Sequence, residues 1–145
     1  MRCDAAQLFE RCEYDAGHRL IRQIDTVGRL TRFTYDLGDR LTREIDPAGN
    51  DTRYSYNPRS QVLQVTDAQN QPYLFEYDEV GRVLRTQRGG RAWSFTYDGD
   101  GNRRSRTDAK GNTTSYAYNE LNNLTTITYA NGGTQAYLVC DRSVG

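Results

Sequence analysis

The chain has 145 residues, with 19 basic and 19 acidic side chains and only 36% hydrophobic residues, yet it carries 11 Tyr, 4 Phe, one Trp and 13 Gly. Zero formal charge provides no field to draw the chain to nucleic acid or an anionic membrane, and no apolar run approaches the ~18 residues of a transmembrane helix. Disordered chains are poor in aromatics, so low hydropathy combined with many Tyr points to β-structure rich in turns.

Met1-Arg2-Cys3-Asp4-Ala5-Ala6 has no apolar core, so no signal peptide is visible. Residues 1–13 read as half of a repeat, with Asp4-Ala5-Ala6-Gln7 in a turn slot and Cys12 in an aromatic slot. Full repeats then start at Tyr14, Tyr35, Tyr56, Tyr77, Tyr97 and Tyr118, spaced by 21, 21, 21, 20 and 21 residues. Asp or Asn follows each Tyr, and a second aromatic stands two residues before most of them, at Phe33, Tyr54, Phe75, Phe95 and Tyr116.

Each repeat holds two turn signals. The first is Tyr-Asp-x-x-Gly, as in Tyr77-Asp78-Glu79-Val80-Gly81; the second is Asp-x-x-Gly, at Asp25/Gly28, Asp46/Gly49 and Asp108/Gly111. Asp67 continues the Asp series with Asn70 in the Gly slot, and Gly132 continues the Gly series. An Asp side chain accepts hydrogen bonds from the backbone ahead of it, and Gly supplies the positive φ that ends such a turn. Between turns, residues alternate with period two, as in Thr31-Phe33-Tyr35 and Thr52-Tyr54-Tyr56, while the other strand carries Leu20, Ile24, Leu41, Ile45, Val62, Val83 and Leu124. A helical array would not tolerate turn residues every ten positions. The prediction is an all-β chain, a single array of tandem β-hairpins over 1–145 forming a curled antiparallel sheet. Near Asn131-Gly132-Gly133 one residue is in excess and the register is ambiguous, and 137–145 is a degraded end.

Candidate chemistry is sparse. The Asp series recurs at every turn, which assigns Asp25, Asp46, Asp67 and Asp108 to structure rather than acid–base work. Asp98-Gly99-Asp100-Gly101-Asn102 opens like a calcium loop, but Arg103 and Ala109 stand where that loop requires Gly and Glu. His18 falls in a turn slot without a nucleophile to serve. Three cysteines (Cys3, Cys12 and Cys140) lack zinc spacing and make a disulfide framework unlikely. No catalytic residue, cofactor or metal is assigned. Arg103-Arg104-Ser105-Arg106 reads as a solvated face balanced by Asp98, Asp100 and Asp108. The aromatic stripe reads first as cross-strand packing; its other use is as a glycan-binding platform around Tyr73 and Trp93.

Tyr35-Asp36-Leu37-Gly38-Asp39-Arg40-Leu41, Asp46-Pro47-Ala48-Gly49-Asn50 and Tyr77-Asp78-Glu79-Val80-Gly81-Arg82 resemble the YD repeat of the Rhs (rearrangement hotspot) family. The resemblance spans residues 4–140. It implies a segment of a β-barrel-like shell, related to toxin-complex shell proteins and teneurin barrels, that encloses a toxin cargo. It also implies a bacterial chain, secreted or at the cell surface as part of an exported effector. The family's self-cleaving aspartate does not carry over, because the one Asp-Pro, Asp46-Pro47, lies mid-array and is followed by Asn50 rather than Leu.

About twelve strands at about 4.8 Å make a sheet too wide to stay flat and too small to enclose a folded domain. Partners are therefore expected at the sheet edges: neighbouring repeats of a longer chain, or a second copy. The alternative is that the two half-repeats close a ring. A protein- or glycan-binding module working as a free-standing oligomer is the alternative function.

Overall fold

The computed structural model describes residues 9–137, without the side chains of residues 9 and 10. The half-repeat turn at Asp4-Ala5-Ala6-Gln7, Cys3, Cys140 and most of the degraded end lie outside the described residues. The chain divides into two compact units, residues 1–74 and 75–145. The first contains β1 (Phe9–Tyr14), β2 (Leu20–Asp25), β3 (Leu30–Tyr35), β4 (Leu41–Ile45), β5 (Asp51–Tyr56), β6 (Val62–Thr66) and the start of β7 (Pro72–Tyr77). The second holds the rest of β7, β8 (Val83–Arg88), β9 (Arg91–Tyr97), β10 (Arg103–Thr107), β11 (Thr113–Tyr118), β12 (Leu124–Thr128) and β13 (Thr134–Ala136). Within each unit, sequence neighbours pair antiparallel in chain order, as the hairpin reading requires.

The two turn signals of a repeat build one and the same turn. At Asp15–Arg19 the Asp15 carbonyl accepts from His18 N–H (3.1 Å), and Asp15 N–H donates to the Arg19 carbonyl (3.0 Å). Asp15 Oδ1 accepts from the amides of Gly17 and Arg19. Asp25–Arg29, Asp36–Arg40, Asp46–Asn50, Asp67–Gln71, Asp78–Arg82, Asp98–Asn102 and Asp108–Asn112 repeat this backbone pattern. It is a type I turn followed by a left-handed residue, the usual three-residue hairpin loop. That fourth position has φ between 59° and 97° in all of them and in the Asn57 and Asn119 turns: His18, Gly28, Asp39, Gly49, Ser60, Asn70, Gly81, Gly101, Gly111 and Asn122. His18 is thus a turn residue.

Two irregularities of spacing now have causes. The 20-residue step arises at Arg88-Gly89-Gly90-Arg91, where Arg88 pairs Arg91 and both glycines have positive φ (54° and 76°), giving a two-residue turn one residue shorter. The ambiguity near Asn131 resolves without an extra residue. Gly132 keeps its slot, bonding back to the Tyr129 carbonyl at 2.9 Å, and Asn131 Oδ1 caps Gly133 N–H. Tyr129 occupies the Asp slot and lacks an acceptor there, so Asn131 supplies one.

The hairpins differ in register. Those closed by the Tyr-Asp turn carry a bulge beside it: Tyr35 opposes Leu41 while Thr34 opposes Arg43, leaving Thr42 unpaired. Tyr56/Val62, Tyr97/Arg103 and Tyr118/Leu124 repeat the pattern. The alternate hairpins are regular. Paired residues share a face, so Leu41 lies with Tyr35 on the aromatic face, whereas Ile45, opposite Arg32, lies on the other. Four residues apart, Leu41 and Ile45 would share a face in an unbulged strand.

Each unit is a single layer of sheet. Among the described residues only Cys12 and Thr86 are buried (5% and 8% exposed), and no side chain is below 2%. The aromatic ladder is half-buried by its own neighbours: Tyr54 opposes Val65, which opposes Tyr73. Cys12 is disulfide-bonded, contrary to the expectation from the cysteine count.

With no core to dominate, the turns set the pH response. Asp15 is held below the ordinary 3.8 by the Arg19 guanidinium and amide, and Asp25 and Asp36 chiefly by the amides of Arg29 and Arg40. Asp46 and Asp108 are lowered by the side chains and then the amides of Asn50 and Asn112. Partial burial opposes the lowering at Asp78 and Asp98, but donors from Arg82 and Asn102 outweigh it. Asp51 falls to about 2 between Arg43 and Arg53. Depressed carboxyls bind fewer protons folded than unfolded, so their stabilisation is complete above about pH 4 and lost below it. Urea-unfolding midpoints should be flat from about pH 7 to 5 and fall steeply between about pH 4 and 2; a flat profile to pH 2 contradicts the turn assignment. Gly49, at φ 84°, tests the other half of the turn. Gly49→Ala should cost about 1 kcal/mol in chemical unfolding despite open space around it.

Candidate functional site

The functional geometry of the chain lies where one repeat meets the next. Each turn after a repeat Tyr ends, at the fifth residue past that Tyr, in Arg19, Arg40, Gln61, Arg82, Asn102 or Asn123. Arg40 shows the arrangement. Its Nε donates to Asp36 Oδ2 of its own turn (2.8 Å), and its Nη1 donates to the Asn57 carbonyl of the next repeat (3.0 Å). The guanidinium carbon lies 5.0 Å from the centroid of the Tyr56 ring. Tyr56 in turn reaches back, its hydroxyl donating to the Leu41 carbonyl at 2.7 Å.

The clasp recurs in both units. Arg19 bonds Asp15, the Asp36 carbonyl and Asp39 Oδ1 and lies over Tyr35, whose hydroxyl reaches the Leu20 carbonyl at 2.8 Å. Arg82 bonds Asp78 and the Asp98 carbonyl and lies over Tyr97, whose hydroxyl reaches the Val83 carbonyl at 2.9 Å. Tyr118 reaches the Arg103 carbonyl at 3.1 Å. In its repeat Asn102 replaces Arg and bridges instead from Asp98 to the Asn122 side chain. Burial pushes the Tyr35 hydroxyl above its ordinary range, which keeps it a donor. Backbone carbonyls as acceptors make the clasp indifferent to side-chain identity on the strand it grips.

Of the residues singled out from sequence, Tyr35, Tyr56, Tyr97 and Tyr118 thus work between repeats. Asp25, Asp46, Asp67 and Asp108 close turns within hairpins, and Gly28, Gly49, Gly111 and Gly132 take their left-handed positions. Tyr14 and Tyr77 end β1 and β7, with Tyr14 opposite Leu20. The arginine five residues past Tyr was the participant missed as a functional position. Its signal was present in Arg19, Arg40 and Arg82, three of six copies, with carboxamide donors in the others.

The remaining candidates resolve individually. The Asp98 carboxylate is occupied by the Asp100 and Asn102 amides and the Asn102 side chain. Among the described residues no group of three or more His, Cys, Asp or Glu can hold a metal. Arg103 lies over the Tyr116 ring at 4.8 Å, Arg106 opposes Phe95 on the aromatic face, and Arg104 occupies the bulge. Asp98, Asp100 and Asp108 therefore do not balance these arginines by ion pairing among the described residues. Trp93 opposes Thr86 and borders a groove of about 560 Å³ with Arg91, Asp108, Lys110 and Asn112. Tyr73 sits in the first unit, opposite Val65.

The clasp is testable as a unit. Tyr56→Phe should cost about 1 kcal/mol by leaving the Leu41 carbonyl without its donor. Arg40→Ala and Tyr56→Phe probe separate bonds, so the cation–π contact is isolated by pairing Arg40→Ala with Tyr56→Leu. That cycle should show about 0.5–1 kcal/mol of coupling; additive effects in urea unfolding contradict a shared clasp.

The RHS Repeat family profile matches five overlapping stretches, residues 14–51, 38–72, 56–92, 77–111 and 97–134. No curated protein matches the chain. Among solved structures, the Tc holotoxin pore of Photorhabdus luminescens with a substituted TccC3 is 19% identical over 81% of this chain, with a TM-score of 0.60. A TcdB2-TccC3 structure is 18% identical over 86% of the chain at a TM-score of 0.63, and TcdB2-TccC3-Cdc42 is 20% identical over 91% at 0.58. The chain spans only 9–10% of the length of those chains, and at such identity the likeness is one of fold. Five tandem profile matches over the clasped hairpins settle the family: the chain belongs to the RHS repeats.

Proposed function

We propose that these repeats are a non-catalytic wall segment of an RHS-type shell that encloses a toxin or other cargo, in a bacterial effector exported to the cell surface or medium. The observation that supports this reading is the clasp. Tyr35, Tyr56, Tyr97 and Tyr118 bind the backbone of the repeat before through their hydroxyls, and Arg19, Arg40 and Arg82 bind the backbone of the repeat after, while among the described residues almost nothing is buried beneath a second layer. Such an array gains order from its neighbours rather than from a core, which suits a wall. The repeat as a single array over 1–145, with Tyr14, Tyr35, Tyr56, Tyr77, Tyr97 and Tyr118 as its ladder, belongs to the same proposal. Its partners are further repeats or a second copy, joined at the sheet edges.

An antibody raised against the chain, used on denaturing blots of source cells, should detect a polypeptide far larger than 16.6 kDa. Limited proteolysis of that native polypeptide should leave a segment outside the repeats protected until the repeats themselves are cut. A band at 16.6 kDa, or cargo cleaved before the repeats, overturns the reading.

A further inference from the structure

The face opposite the aromatic ladder carries an imbalance in the first unit. In the second full repeat and the strand before it, one row across β3, β4 and β5 reads Arg32, Ile45, Asp51 and the next reads Thr34, Arg43, Arg53. Asp51 is gripped there by Arg43 through two parallel hydrogen bonds of 2.9 Å each. One repeat later, the equivalent rows across β5, β6 and β7 read Arg53, Thr66, Pro72 and Ser55, Gln64, Leu74. Pro72 stands where the acid stood, so Arg53 has no carboxylate in its own row. It reaches back to Asp51, already bound by Arg43, through Nε at 3.1 Å and Nη2 at 2.8 Å. Two guanidiniums share one carboxylate, and a positive charge is left over.

That surplus borders a groove of about 440 Å³ lined by Arg53, Tyr54, Ser55, Gln64, Thr66, Asn70 and Pro72. The volume is within the range of about 300–1,000 Å³ common for small-molecule sites. Two hydroxyls and two carboxamides line it, groups that both donate and accept. Gln64 Nε2 already donates to Thr66 Oγ1 at 2.8 Å, and vicinal sugar hydroxyls can use the acceptor and donor positions that this bond leaves on the wall. Asn70 sharpens the case. It holds φ 62° at a slot where Gly28, Gly49 and Gly111 carry no side chain, and so places a carboxamide on the groove wall.

We infer that this groove binds an acidic saccharide, with the sugar carboxylate on the unengaged Nη1 of Arg53 and ring hydroxyls on Ser55, Gln64, Thr66 and Asn70. Charge selects the acid and the amide–hydroxyl wall selects the sugar. The site does not depend on the shell reading, because Arg53, Gln64 and Asn70 take no part in the Tyr–Arg clasps described above.

The probes are trigalacturonate and sialyllactose, with neutral maltotriose as control, titrated into the isotope-labelled chain and followed by amide NMR shifts. At least one acidic probe should bind saturably, with shifts centred on β5 and β6, and maltotriose should bind at least about tenfold more weakly. Arg53→Gln, Gln64→Ala and Asn70→Gly should each weaken the acid by about tenfold. Asn70→Gly keeps the left-handed turn, and Arg53→Gln leaves Asp51 on Arg43, so circular dichroism should show all three folded. No saturable binding of either acid, equal binding of maltotriose, or affinity unchanged in Asn70→Gly overturns the assignment. None of these results bears on the size or cargo protection of the native polypeptide.

Discussion

The structure depends on one carboxylate reaching forward over its own turn. A sheet without a second layer has little buried apolar area to hold it, so each hairpin must be fixed locally. An Asp that accepts from the amides two and four residues ahead does this with groups already in place, at low entropic cost. The left-handed residue that follows forces the chain back antiparallel. Because this module, with Asp or Asn as the acceptor, forms ten of the twelve turns between the described strands, strand length is nearly constant and the repeat is nearly invariant. Where the turn is shortened, the period changes with it, as at Gly89-Gly90.

The turns alone would give a flat, symmetric ribbon with two equivalent edges. The bulge breaks that symmetry. It recurs beside the Tyr-Asp turn, where one extra residue shifts the face of everything beyond it on that strand. Leu41 is thereby delivered to the Tyr side and Ile45 to the Arg side. The bulged edge is also where Arg40 meets Tyr56 and where Tyr56 finds the Leu41 carbonyl. Local turn chemistry therefore positions the contacts that join repeats, and the two levels of order share residues: Asp36 closes its own turn and anchors the arginine that crosses to the next.

Much of this was legible in the sequence, and what was not has a physical reason. Period-two alternation and Asp-x-x-Gly spacing showed the hairpins, because strand and turn chemistry are local. The identity of the two turns was obscured by the Tyr written before one of them, although both obey the same hydrogen-bond pattern. The bulge has no residue signature here: Thr42, Leu63, Arg104 and Thr125 share no property that a bulge demands. Arg40 was visible as a recurring letter, but its work is done on a backbone carbonyl 17 residues away, and carbonyls do not appear in a sequence. The surroundings of Arg103 were hidden for a related reason. Asp98 and Asp108 keep their charge but spend their oxygens on turn amides and carboxamides, so among the described residues neither reaches an arginine of that strand.

The same consumption explains how a neutral chain can have locally charged surfaces. Nineteen acids and nineteen bases cancel on paper, yet most of the Asp are spent inside turns, where amides and their own i+4 neighbours saturate them. The arginines on the strand faces are left to find what acids remain, and among the described residues of the first unit it is Glu13 and Asp51 that they pair with there. Surface pairs of this kind add little stability. Their arrangement decides instead which face repels an acid and which receives one. In a repeat array the turns and clasps must recur for the fold to propagate, whereas the outer face of each copy is free to vary. Specific recognition in such a chain is therefore expected at copies that depart from the pattern on that face, as Pro72 and Asn70 do, rather than at the positions that define the repeat.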